Sequence, residues 1–256
     1  MTAKVRLSEL AIGVIPILLL LGLWEYLTAF KIAPPSLLPP PGVVFTRFVQ
    51  LLGDPVFLGH AATTMYRLAW GFGLAVVVGV GLGILGAGSQ TAGSLLRPVI
   101  RVLAPLPKIA LYPAFMLTLG FDHASKIALV FADALFPILL ATLQGALAVE
   151  PKLVWSARAM GVSKLKCLFT VVLTASLPSI LTGCRIGLVI SCIVVFLSEM
   201  ISSTDGLGYL LVRAARSFQT VDMFVPIIAI SVLGLVLNAG FNALRARLLR
   251  GFPEES

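Results

Sequence analysis

Six stretches of this chain leave it few places to fold: residues 11–30, 62–87, 107–120, 126–146, 179–202 and 223–246 are almost unbroken runs of apolar side chains. A helix rises about 1.5 Å per residue, so some 20 such residues match a hydrocarbon layer about 30 Å thick. Backbone N–H and C=O groups find no water in lipid and must satisfy one another, which a helix does within its own segment. With 59% apolar residues, 12% charged and a mean hydropathy of +1.04, the whole chain lies far from an ordinary soluble protein. The expectation is one all-helical, polytopic membrane domain over 1–256 with six transmembrane helices.

The connections set the topology. Lys4 and Arg6 precede the first run, and no small-x-small cleavage site follows it, so it reads as an uncleaved span. Prolines 34, 35, 39, 40 and 41 cannot continue a helix and open a loop to about Ala61, with an amphipathic helix over Val43–Leu52. In the second run Gly71, Gly73, Gly79, Gly81 and Gly83 allow close helix contact. Residues 94–106 place Arg97 and Arg101 four apart beside apolar positions, as in an interfacial helix. The third run is short and interrupted by Pro113, which predicts a broken helix packed inside protein, and Phe121–Ser125 is a tight turn.

Six spans put both ends on one side. The side of the long loop 149–178 carries Lys4, Arg6, Arg97, Arg101, Lys152, Arg158, Lys164, Lys166, Arg245, Arg247 and Arg250; the other carries Lys31, Arg47, Lys126, Arg213 and Arg216. Basic residues collect on the cytoplasmic face, so both termini and the loop are expected there. The formal charge of +8 follows from this placement; the cations flank apolar runs instead of gathering on a soluble face, which excludes a nucleic-acid binder.

Within that loop, Pro151 suits the first position of a helix and Gly161 the left-handed residue that ends one, predicting a helix over Pro151–Met160. Ser163 caps a second helix with Leu165, Leu168, Phe169 and Val172 as its apolar stripe. Trp155-Ser156-Ala157, then Gly161, then Val171 and Leu173-Thr174 resemble the E-A-A-x-x-x-G coupling loop of the membrane permease subunits of bacterial ATP-binding cassette importers, without its acidic residue and first proline. Leu177-Pro178, SILTGCRIGL and the GLGYLL of 206–211 are similar to the nitrate, sulfonate and taurine subfamily, and the likeness runs from LLPPPGVV onward.

That resemblance implies a type I importer (MetI-like) fold in a bacterial inner membrane and a permease for a small anion of the nitrate, sulfonate or taurine kind. A thiamine pyrimidine precursor or another small metabolite is the alternative cargo; an ATP-independent secondary transporter is the rival class, though no sequence repeat supports it. The implied assembly is a homodimer with two ATPase subunits, which bind ATP and Mg, and an extracytoplasmic solute-binding protein. Trp155, Ser156, Ala157, Arg158, Met160 and Gly161 are the implied ATPase-coupling residues. As a bare sequence pattern, Gly161 is equally a simple helix stop.

No catalytic constellation appears. There is no G-x-x-x-x-G-K-[ST] and no nucleophile elbow, and His60 and His123 fall on outer loops without metal spacing, so the chain is expected to need no cofactor and to leave ATP hydrolysis to its partner. Cys167, Cys184 and Cys192 form no C-x-x-C and read as small apolar side chains, with Cys167, outside the spans, the one thiol open to reagents. Ionisable residues inside spans each cost about 3 kcal/mol and face protein or water. Asp133 is a pathway candidate or an interhelical hydrogen-bonding group. Arg185 snorkels, pairs with another helix or meets solute, and Glu199 lies near the other end of the same span. The outward loop 203–222, with Gly206, Gly208 and Tyr209, is either a gate that meets the solute-binding protein or a plain interfacial linker.

Overall fold

The computed structural model describes residues 2–34, 36–250 and 252, with side chains from Ile15 onward, and the described residues are helical without a β-strand. Lys4 and Arg6 therefore lie outside the described side chains. The helices are α1 (Thr2–Ala29), α2 (Pro41–Leu51), α3 (Pro55–Gly88), α4 (Gln90–Leu103), α5 (Tyr112–Leu119), α6 (His123–Leu147), α7 (Pro151–Ala159), α8 (Lys164–Cys167), α9 (Leu173–Ala175), α10 (Leu177–Ser202), α11 (Leu207–Arg216) and α12 (Thr220–Leu248). A 3-10 turn, Lys108–Leu111, leads into α5, and a π turn, Leu168–Val172, joins α8 to α9.

Among the described residues, four helices are long and apolar enough to cross a membrane: α3, α6, α10 and α12. The count reaches five where α4 and the segment Lys108–Leu119, bent by 85° to each other, are counted as one broken span. The first expected span lies within α1, whose described side chains, Ile15–Ala29, are mostly apolar.

Three sequence expectations shift. The second span begins at Pro55 instead of 62, because Asp54 accepts a hydrogen bond from Val56 N at 2.9 Å while Pro55 fills the first turn. The helix near 94–106 starts at Gln90 under a Ser89 cap. In the third run Pro113 is no interruption, since it sits in the first turn of α5, where its missing N–H is tolerated. The break lies earlier, between α4 and the 3-10 turn, where Pro105 and Pro107 fall.

The centre of the fold is α6. On one flank, Gly71, Ala75, Gly79 and Gly83 recur every fourth residue along α3 and are buried. Carbon atoms placed on Gly71, Gly79 and Gly83 would stand 2.6, 3.0 and 2.6 Å from Val130, Ile138 and Thr142, so only glycine lets the two backbones approach this closely. Gly73 and Gly81, expected in the same role, face the other way with nothing within 4 Å. On the opposite flank α10 presents Gly183 and Gly187 to Ala141 and Ile138 of α6. α12 packs outside α10, and α2 is pinned to its start by Arg47 Nε–Asp222 Oδ1 at 2.7 Å. The hydrogen bond and charge of Asp222 raise the Arg47 pKa above its ordinary value.

Candidate functional site

The two ends of the α6 layer are built differently. At the α6 N-terminus lies a buried polar cluster that joins four segments. Arg67 of α3 is 1% exposed; its Nη1 donates to Glu199 Oε1 at 2.8 Å and to the Asp205 carbonyl at 3.2 Å, and its Nε donates to His123 Nδ1 at 3.1 Å. Its Nη2 meets the Asp205 carboxylate. Burial alone would push the Asp205 carboxyl up, but the hydrogen bond and charge of Arg67, with help from Ser203, hold it below the usual carboxylate range.

The cluster explains the GLGYLL sequence. The first N–H groups of a helix have no partner inside it. In α11 they are taken by other elements: Gly206 N donates to His60 Nδ1 at 3.0 Å, Leu207 N to Thr64 Oγ1 at 2.9 Å and Gly208 N to Glu199 Oε2 at 3.1 Å. A carboxylate is favoured at that end by the helix dipole. Gly206 has φ +98°, and a side chain on it or on Gly208 would overlap Glu199 and its helix. Tyr209 stands between the His60 ring, 5.8 Å away, and Arg213, 5.9 Å away. Beside the cluster, a cleft of about 600 Å³ is lined by Asp122, Ser203, Thr204, Tyr209, Arg213 and Arg216, among others.

Glu199, Gly206, Gly208 and Tyr209 are thus brought together, while Asp133 and Arg185 lie elsewhere. Asp133 sits 3.8 Å from Lys108, and Arg185 Nε donates to Asn238 Oδ1 of α12 at 3.1 Å. Arg67 escapes the sequence reading although it stands within an apolar run, the same signal that singles out Glu199. His60 and His123, expected on loops, belong to α3 and α6 and enter the cluster.

At the other end of α6, α7 and α8 meet at Gly161, whose φ is +80°. Val162 N donates to the Ala157 carbonyl at 3.1 Å and Gly161 N to that of Arg158 at 3.0 Å, the paired bonds of a Schellman stop. Arg158 Nη1 also donates to the Val162 carbonyl at 3.0 Å, and Ser163 Oγ accepts from Lys166 N at 3.3 Å to start α8. Ala157 is the buried anchor of α7, while Trp155 and Met160 are 68% and 78% exposed, with Ser156 and Arg158 exposed beside them. The predicted stripe of α8 is only half buried. Val172 faces the core and Leu168 covers Gly88, but Leu165 and Phe169 point outward. Cys167 takes the inward place instead and is 2% exposed, which overturns its expected accessibility.

Comparison with known proteins is consistent across sequence and fold. Residues 79–252 match the family described as binding-protein-dependent transport system inner membrane component. A putative aliphatic sulfonates transport permease of Bacillus subtilis is 31% identical over 90% of this chain and 84% of its own length. A taurine transport system permease of Escherichia coli is 30% identical over 95% of this chain and 90% of its own length. A formylaminopyrimidine transport permease of Halalkalibacterium halodurans is 29% identical, covering 89% of each chain. Among solved structures, a chain of the MetNI methionine ABC transporter in an inward-facing conformation superposes with a TM-score of 0.67 at 14% identity, over 75% of this chain and 96% of that one.

Proposed function

The chain belongs to the family of binding-protein-dependent transport system inner membrane components, and from that premise we propose that two copies line the pathway of an ATP-driven importer for a small organic anion. Two ATP-binding cassette subunits bind ATP and Mg and hydrolyse the nucleotide outside this chain. A solute-binding protein delivers the cargo to the cleft beside α11, and both termini face the cytoplasm. The sulfonate and taurine relatives favour an anion; the formylaminopyrimidine relative keeps that chemistry as the second reading.

The observation that carries the coupling role is the α7–α8 elbow. It presents Trp155 and Met160 to solvent at the end of α6 opposite the Arg67 cluster, 25 residues or about 37 Å away along the helix. Docking on an ATPase removes that apolar surface from water. Closure of the ATPases then moves α7, and the motion reaches the outer end through α6 and the helices packed on it.

Gly161→Val tests this role. A β-branched residue at positive φ costs on the order of 1–3 kcal/mol of local strain, while the space around Gly161 is open, so no clash confuses the result. The variant should insert and purify normally but lose association with the ATPase and the ATP hydrolysis that the loaded binding protein stimulates. Lys152→Ala at the exposed start of α7 should change little. Wild-type transport by Gly161→Val refutes the elbow as the coupling element.

Orientation has its own test, since all three native thiols are buried. A Lys152→Cys variant, at the exposed start of α7, should be modified by an impermeant maleimide in inverted vesicles and spared in intact cells. Labelling in intact cells reverses the assigned orientation.

A further inference from the structure

We propose that Lys108 receives the anionic group of the solute inside the permease, with Asp133 as the counterion that the solute displaces. The proposal rests on the importer reading above. Asp133 is the eleventh residue of the 25-residue α6 and so lies near mid-membrane. Lys108 meets it from the break between α4 and α5, Nζ to Oδ1 at 3.8 Å. That separation permits attraction without a hydrogen bond, whose N–H···O distance is about 3 Å.

The rest of the ammonium's surroundings are as sparse. Its side chain is 9% accessible, its Nζ donates to the Ala104 carbonyl at 2.7 Å, and it stands 4.7 Å from the centre of the Phe136 ring. An ammonium carries three N–H donors, and among the described residues only one is used. Buried cations are normally paired and fully hydrogen-bonded. Arg67 in this same chain meets that standard, and Lys108 does not.

An oxyanion supplies what is missing: several acceptor oxygens and one negative charge. Sulfonates, carboxylates and nitrate share this chemistry. Asp133 is suited to give way, because its side chain is 21% accessible and so already reaches open space. Pro137, four residues on in α6, has no N–H to give the Asp133 carbonyl, which leaves the helix locally free to shift. Entry of the anion frees Asp133; its departure restores the resting pair, so the site neither traps the solute nor stands empty as a lone charge.

The test uses the complete importer in liposomes, with the alkanesulfonate that its solute-binding protein binds in a calorimetric series. Lys108→Met/Asp133→Asn removes both charges together and leaves no unpaired buried ion, so the double variant should fold. It should assemble with the ATPase subunits and show an unfolding midpoint close to wild type, while sulfonate uptake falls at least about 30-fold. Lys108→Arg, which keeps a cation, should retain uptake within a few fold. A purely structural pair predicts that uptake falls only together with assembly or thermal stability, so a parallel loss overturns the site, as does uptake at the wild-type rate. If the wild type responds to loaded binding protein but carries no alkanesulfonate, the anion site falls and the importer reading stands. If ATP hydrolysis never responds to the binding protein, the importer reading itself falls.

Discussion

Arg67→Met should destabilise the end of the protein around the α6 N-terminus by about 3–5 kcal/mol, the usual cost of stranding one partner of a buried ion pair. Glu199 has a fully inaccessible side chain and cannot turn to water, whereas Asp205, at 39% side-chain accessibility, can. The loss therefore concentrates on Glu199 and on what it holds, the N–H of Gly208 at the start of α11. Thermal unfolding of the purified protein should shift down sharply, and amide exchange at residues 206–208 should accelerate ahead of the rest. Arg67→Met/Glu199→Gln should recover most of the loss, because the neutral amide keeps an acceptor for Gly208 and has no charge to strand. A single variant within about 1 kcal/mol of wild type would show that the cluster is not what fastens α11.

Gly71→Leu should be as damaging by another route. A carbon on that residue would stand 2.6 Å from two carbons of Val130 and 3.0 Å from the Ile127 carbonyl, so α3 and α6 must separate to admit it. Overpacking typically costs about 1–3 kcal/mol, and a seam where the obstacle includes backbone lies at or above the top of that range. Gly73→Leu lies two residues away on the open side. It should be neutral or gain up to about 1 kcal/mol from better helix propensity. The pair is read from the yield of monodisperse protein and its unfolding midpoint in detergent. Equal behaviour of the two variants would remove the α3–α6 seam from the fold's foundations.

The all-helical class, the placement of four runs and the glycine elbow were legible because each has a local cause: hydropathy over a window, proline at a helix start, glycine at positive φ. The centrality of α6 was not. A membrane helix is apolar on the side facing lipid and on the side facing protein, so its sequence carries little contrast from which to read neighbours. For the same reason Gly73 and Gly81 were indistinguishable from Gly71, Gly79 and Gly83 until α6 was seen against one face of α3. The third run was legible as broken but not in the place of its main bend, at Pro105 and Pro107, since a proline breaks or begins a helix according to the residues around it.

At the Arg67 cluster the sequence exposed Glu199 and the glycines but hid their partner. Arg67 stands in an apolar run on the same terms as Glu199 and was legible by the same rule. Its pairing was not, since 132 residues separate the two. Lys108 was masked by its place at the edge of a run, where a lysine ordinarily reaches for water. Cys167 went wrong because the inward stripe runs through Cys167, Leu168 and Val172, one position off the predicted Leu165 and Phe169.

The uncovered elbow also bears on how a cell keeps its subunits in balance. Leu153, Trp155, Met160, Leu165 and Phe169 are each 48% or more exposed on one short segment beyond the membrane-crossing helices. Apolar surface gathered in this way is what chaperones and degradative proteases recognise, and what makes unpartnered chains stick to one another. On the coupling role proposed above, a copy made without an ATPase partner carries its own mark for removal, and assembly erases the mark. Overproduction of this chain alone should give short-lived or clumped material, with lifetime restored in proportion to the ATPase supplied alongside it.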